Sequence, residues 1–379
     1  MNQALIIIST AIFILGLVFI VLAFFVRRTA EAGKARRLHL RLCRSPKNPI
    51  CAPRTHRTWE THGTFNPAAI VDDEGRVHLF YRAIGEDGMS RIGHAVSEDG
   101  IHFDERSLYP VYEPRPGCGV PEHPEAFGGP RRYEPLVYTS GGGWGGTEDP
   151  RAVRIGGRVY MTFTAFGSWD DMRIAVTSIS LDDMKQKKWK WKKATFLSPA
   201  KTRNKNWVLF PEKIHGKFAI MHGISPRIMI DYLDSLDGLS DTKAIKSATD
   251  HGGGGYHDKS RVGFWDNRVR GVGTPPIKTD LGWLFLYHGI DKREPHKYKV
   301  GAMILDLNDP TKILYRSPAP ILEPDMPYEN DSKPGIVYAS GAVIKDGRLL
   351  VYYGGGDRHV CVAEIPLNAL LGWLQESGK

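Results

Sequence analysis

The sequence predicts an all-β fold, a five-bladed β-propeller preceded by a single N-terminal transmembrane helix. Three observations predict it. Short alternating or apolar runs broken by Gly, Asp and Pro fill the chain beyond a basic stretch that ends near residue 57, and no long amphipathic helix appears until the last dozen residues. A degenerate strand–loop–strand unit recurs five times at roughly sixty-residue spacing. An uncharged run of 23 residues lies near the start.

That run, ALIIISTAIFILGLVFIVLAFFV over 4–26, reaches roughly 34 Å as a helix, enough to cross a bilayer core of about 30 Å. A cleaved signal peptide needs a basic start and a small-residue cleavage site. Here Met-Asn-Gln precedes the run and Phe-Phe-Val-Arg-Arg ends it, so an uncleaved anchor is expected. Residues 27–57 then carry ten basic side chains against the single acid Glu31, which accounts for the whole net charge of +9. The neutral body offers no footprint for nucleic acid. A basic collar beside a span suits an anionic cytoplasmic leaflet and places the body in the cytoplasm. The expected organisation is an anchor at 1–26, a basic juxtamembrane linker at 27–57 and a propeller at 58–379. The cysteines, Cys43, Cys51, Cys118 and Cys361, show no metal spacing and suit reduced thiols in a cytoplasm, although Cys43 and Cys51 could pair in an exported protein.

The five repeat units begin near Val77, Val159, Lys217, Trp283 and Arg348, and their anchors Tyr81, Phe163, His222, Tyr287 and Tyr352 fall 82, 59, 65 and 65 residues apart. One four-stranded sheet per unit gives a propeller; a β-sandwich does not explain a repeated unit. The residues to inspect are the polar ones that follow the apolar runs, where loops converge on a central channel.

Glu148-Asp149-Pro150-Arg151 precedes a strand. Adjacent acids on an extended chain point to opposite faces and have different jobs. Pro150 pushes Asp149 to an extended backbone that could hold its carboxylate toward the channel, which reads as a general acid for a glycosidic oxygen or as a turn with an ion pair to Arg151. Loops around Arg203, Lys205 and Asn206, and around Lys278, supply cations and amides that can hold phosphate or simply be solvated. In KQKKWKWKK (185–193) alternation sets Trp189 and Trp191 on one face, either packed on the body or offered to a surface polymer or membrane.

Together the motifs TFNPAAI, LFYRA, SRIGHAVSEDGIHF, GTEDPRAV, YMTFTAF, KNWVLFPEKI, GTPPIKTDLGWLFLYHG and LLVYYGGGD resemble glycoside hydrolase family 130, the β-mannoside phosphorylases, from about Asn48 to Pro366. The resemblance implies that Asp149 is the catalytic acid and donates its proton by way of a sugar hydroxyl. Phosphate then inverts the anomeric carbon and gives α-mannose 1-phosphate. It further implies phosphate contacts at Lys205, Asn206, Lys278 and His288 or His296, and substrate-binding positions at Asn66, Arg82, Arg151 and Asp357. The expected partners are a β-mannoside oligosaccharide, inorganic phosphate as co-substrate, and a membrane through the helix and collar. No nucleic acid, cofactor or metal is expected. His222-Gly223-Ile224 lacks the Arg that often follows this His in the family.

Four functions fit these observations. An inverting phosphorylase needs cations for phosphate and no second carboxylate. A membrane-anchored mannosyltransferase would draw on a nucleotide sugar, a β-mannosidase would need a carboxylate base, and a glycan-binding propeller would not need Asp149.

Overall fold

The computed structural model describes residues 39–120, 129–239, 243–247, 256–257 and 261–378. One compact unit spans Arg41–Lys379, and the other, Met1–Leu40, lies almost wholly outside the described residues.

The five repeats fold as antiparallel hairpins. Val77–Ile84 pairs with Met89–Ser97, Arg158–Ser168 with Asp171–Ser180, and Phe218–Gly223 with Met229–Leu233. Gly282–Ile290 pairs with Lys299–Leu305, and Arg348–Gly355 with His359–Pro366. The strand Val77–Ile84 shows how the sequence makes this work. All eight of its residues are buried, and alternate side chains leave opposite faces. Val77, Leu79, Tyr81 and Ala83 pack with Val343, Leu350, Tyr352 and Val360 of the last repeat. Phe80, on the other face, packs with Met161, Phe163 and Trp191 of the second. The second repeat then meets the third through Val153, Ile174, Leu209 and Ile220, and the third meets the fourth through Phe210, Met221, Trp283 and Phe285. Each fully buried large apolar side chain contributes roughly 1.5–3 kcal/mol.

The expected division into five four-stranded blades is corrected. The described strands form sheets of four, eight, three, six and two strands. The first two repeats merge because Gly145–Ile155 runs parallel beside Met89–Ser97, pairing Gly145 with Met89 and Gly146 with Ser90. Glycine permits this approach: Gly146 has φ +119°, and a Cβ there would lie 2.3 Å from the Ser90 carbonyl oxygen. The fold is mostly β, with two α-helices, Leu181–Lys185 and Leu367–Ser377, among the described residues.

The membrane expectation is corrected as well. The run 4–26 lies outside the described residues, and among the described residues no helix is long and apolar enough to cross a membrane. Nothing among the described residues supports a single-pass membrane protein with a cytoplasmic domain. Three of the described collar cations engage the body's own acids. Arg44 holds the buried Glu329 at 2.8 Å, Arg57 holds the buried Glu60 at 3.2 Å, and Arg41 holds Asp325 at 2.9 Å. Cys43–Arg44 forms a short strand on His359–Pro366. The four cysteines are free. Trp189 and Trp191 share one face, and that face is packed: both rings lie against Phe80, and Trp189 also against His94, at 4.7 Å between centroids.

Candidate active site

A cavity of about 460 Å³ opens where the repeats converge, and Asp149 lies on its wall. Pro150 does not leave Asp149 extended. The register of Gly145–Ile155 against Arg158–Ser168 slips between Glu148 and Arg151, and Asp149 sits there with φ +50°. Asn66, also followed by proline, has φ +47° at a matching slip between Phe65 and Ala68. Asn and Asp tolerate this region better than other side chains, yet each instance stores about 1–3 kcal/mol. Tertiary contacts outweigh the local preference.

Those contacts converge on the carboxylate. Asn66 Nδ2 donates to Asp149 Oδ1 at 2.8 Å, and Arg82 Nη1 donates to the same oxygen at 3.2 Å. Arg82, 2 % exposed, also donates from Nη2 to Glu148 Oε1 at 2.7 Å. The bulge thus lets one guanidinium serve both adjacent acids, which still differ in role. Glu148 is fully buried and accepts from Arg82, Ser140 and Lys205, whereas Asp149 faces the cavity. Burial raises the Asp149 pKa, but Arg82, Lys205, Arg151 and the Asn66 amide together outweigh it and hold the carboxyl at about 2.

Lys205 and Asn206 line the same cavity. Lys205 Nζ donates to Glu148 Oε2 at 2.9 Å and to Ser140 Oγ at 3.0 Å. Asn206, with φ +65°, accepts from the Tyr338 hydroxyl. Asp357 is on the wall too, accepting from Lys333 Nζ at 2.9 Å. The structure therefore brings together Asn66, Arg82, Asp149, Lys205, Asn206 and Asp357.

Four expected residues lie elsewhere. Arg151 is buried behind the bulge, donating to the carbonyls of Asp149 at 2.8 Å and Gly273 at 2.5 Å and to the Tyr338 hydroxyl at 3.2 Å. Lys278 is half exposed and pairs with Glu212 at 2.6 Å, off the cavity wall. His288 is buried behind Tyr338, stacked on its ring at 4.2 Å. Burial, reinforced by Arg151, holds this imidazole at about 3, so it is neutral. His296 is not on the wall; its main chain packs against Gly335. The wall also carries Arg270, Tyr298, Lys333, Tyr338 and Trp169, which sequence reasoning missed. Arg270, just before Gly271-Val272-Gly273, had a legible cue, since a basic residue ahead of a glycine-rich turn can face a ligand. The others have none.

Two carboxylates among the described wall residues, Asp149 and the Lys333-paired Asp357, set among cations in a mostly-β chain, suit a carbohydrate-active enzyme. Comparison with known proteins gives the family. A family model described as beta-1,4-mannooligosaccharide phosphorylase matches residues 133–376. A 1,2-beta-oligomannan phosphorylase of Thermoanaerobacter is 36% identical over 335 residues, covering 86% of this chain and 97% of that protein. A beta-1,2-mannobiose phosphorylase of the same organism is 34% identical over 339 residues, with the same coverage of 86% and 97%. The solved structure of the beta-1,2-mannobiose phosphorylase of Listeria innocua, in complex with beta-1,2-mannobiose, superposes with a TM-score of 0.62 at 25% identity, covering 89% of this chain and 99% of that one. The chain belongs to glycoside hydrolase family 130.

Proposed function

We propose that this enzyme cleaves β-mannosides with inorganic phosphate, inverting the anomeric carbon to give α-mannose 1-phosphate. The observation that carries this reading is the charge pattern of the cavity. Among the described residues on its wall the carboxylates are Asp149 and Asp357, and Asp357 is tied to Lys333. A hydrolase needs a carboxylate free to activate water. A phosphorylase needs cations for an anionic nucleophile, and Lys205 and Arg270 stand on this wall. The family and the relatives' names support the same reaction.

In this reading Asp149 is the general acid, relaying its proton through a sugar hydroxyl to the glycosidic oxygen. The C1–O bond to the leaving sugar breaks as a phosphate oxygen bonds C1 from the opposite face. Hydrogenphosphate loses its proton as it becomes the ester, so that proton balances the one gained by the leaving alcohol. Asp149 is ionised in the free site. Phosphate bound against Lys205 weakens the positive field that keeps it so and favours its protonated form. Asn66 and Arg82 orient the carboxyl, Asn206 joins Lys205 in binding phosphate, and Asp357 binds the sugar. The β-1,2 linkage is favoured, because relatives 36% and 34% identical over 86% of the chain carry β-1,2 names, whereas the 4-linked relatives of Ruminococcus albus and Bacteroides fragilis are 32% identical over 42% and 24% identical over 82%.

The test incubates the full chain with β-1,2- and β-1,4-mannobiose, with and without phosphate. Mannose 1-phosphate that requires phosphate and disappears in Asp149→Asn is the expected result. Free mannose released regardless of phosphate would make the protein a hydrolase.

A further inference from the structure

The cavity wall grades from buried to exposed. Asn66, Arg82 and Asp149 are at most 8 % exposed, so the unit being cleaved is enclosed there. Trp169, on the same wall, is 40 % exposed. It stands at the tip of the hairpin joining Arg158–Ser168 to Asp171–Ser180. Its ring meets Phe166 edge to face, with centroids 5.4 Å apart and planes at 76°, an arrangement that leaves at least one indole face uncovered by Phe166. Phe166 is itself buried and lies 5.7 Å from Lys205 Nζ, so the exposed ring is anchored through a rigid neighbour to the catalytic end of the cavity. Beside it Asp170 pairs with Arg203, whose side chain also lines the cavity. An exposed indole is poorly placed for stability, and exposed apolar surface at a cavity mouth marks a ligand-binding site. An apolar ring face next to a charged, hydrogen-bonding pair matches a pyranose, which presents a C–H face and a rim of hydroxyls.

We propose that Trp169 is the stacking platform of an outer sugar subsite, beyond the disaccharide held at the buried end, and that this makes longer mannosides better substrates than mannobiose. Arg203 and Asp170 supply hydroxyl contacts to the stacked unit. The proposal rests on the phosphorolytic reading above.

The test compares kcat/KM of the full chain for mannotriose and mannobiose, in the β-1,2 and β-1,4 series, as a ratio within each variant. The wild-type ratio is expected at roughly three to ten, the range an aromatic stacking contact supplies. Trp169→Ala brings it close to one through KM for the triose, with kcat for the triose held, and Trp169→Phe restores part of it. A wild-type ratio of one, or an undiminished ratio in Trp169→Ala, would overturn the proposal. If neither sugar yields mannose 1-phosphate, the phosphorolytic reading is what fails. Calorimetric titration of mannotriose and mannobiose into Asp149→Asn, with and without Trp169→Ala, then decides the platform. Selective weakening of the triose upholds it, and equal affinities of the two backgrounds for the triose refute it.

Discussion

Asn66 Nδ2 donates to Asp149 Oδ1 at 2.8 Å, and the two residues reach each other by the same backbone device. Each precedes a proline, each has a positive φ, and each sits at a register slip in a strand of the merged sheet. The room for Asn66 comes from Gly354, where a Cβ would lie 2.1 Å from Asn66 Oδ1. Asn66→Ala removes the amide that aims the carboxyl. The expected loss is in kcat, roughly a hundredfold for a misdirected acid, with the fold intact by circular dichroism.

The depressed pKa of Asp149 makes a stability prediction with a definite sign. A carboxyl at about 2 in the folded protein, against an ordinary 3.8, stabilises the fold above pH 4 and loses that contribution as pH falls toward 2. The pH-dependent part is on the order of 2 kcal/mol. Urea unfolding of wild type and Asp149→Asn across pH 2–7 should show curves that converge at the acid end. Parallel curves would mean that Asp149 carries no shifted charge.

Glu148 is the structural acid of the pair. Its fully buried carboxylate balances Arg82, which is itself buried, and it also holds Lys205. Glu148→Gln leaves the Arg82 charge short of a partner, and breaking a buried pair in this way costs about 3–5 kcal/mol. Thermal melts should show a clear drop in Tm, larger than that of Asn66→Ala.

Lys205 and Lys278 are expected to separate cleanly. Lys205→Ala should raise KM for phosphate by roughly tenfold or more, the loss of one charge-assisted hydrogen bond. Lys278 forms an exposed pair with Glu212, a class of interaction worth little, so Lys278→Ala should change KM for phosphate by less than about twofold. Initial rates at varied phosphate measure both.

The repeats were legible because each strand keeps its apolar alternation whatever it packs against, and the place of Asp149 on the cavity wall agrees with one of the two readings its tetrapeptide allowed. The merging of two repeats was not. It depends on a pairing between Ser90 and Gly146 that no local window contains. Propensity placed Asp149 in extended backbone, and the competing bonds from Asn66 and Arg82 come from strands more than sixty residues away. Lys278 and His288 sit in the expected segments, but a segment does not say which way a side chain leaves the sheet. Lys278 turns to Glu212, and His288 to the back of Tyr338. Trp169 lacked any signature because a hairpin tip is ordinarily mere connection.

The short strand Cys43–Arg44 lies against His359–Pro366, with Cys43 opposite Glu364 and Arg44 opposite Ala363. Sequence-distant stretches are thereby buckled together. The same sheet leads through Arg348–Gly355 directly into Asp357 on the cavity wall. A protease or a pulling force that strips away the first strand would leave the Glu329 charge stranded and slacken the sheet that ends at the substrate. Catalytic competence is thus mechanically fastened at a point far along the chain from the chemistry, and a shortened chain starting after Arg44 would undo that fastening.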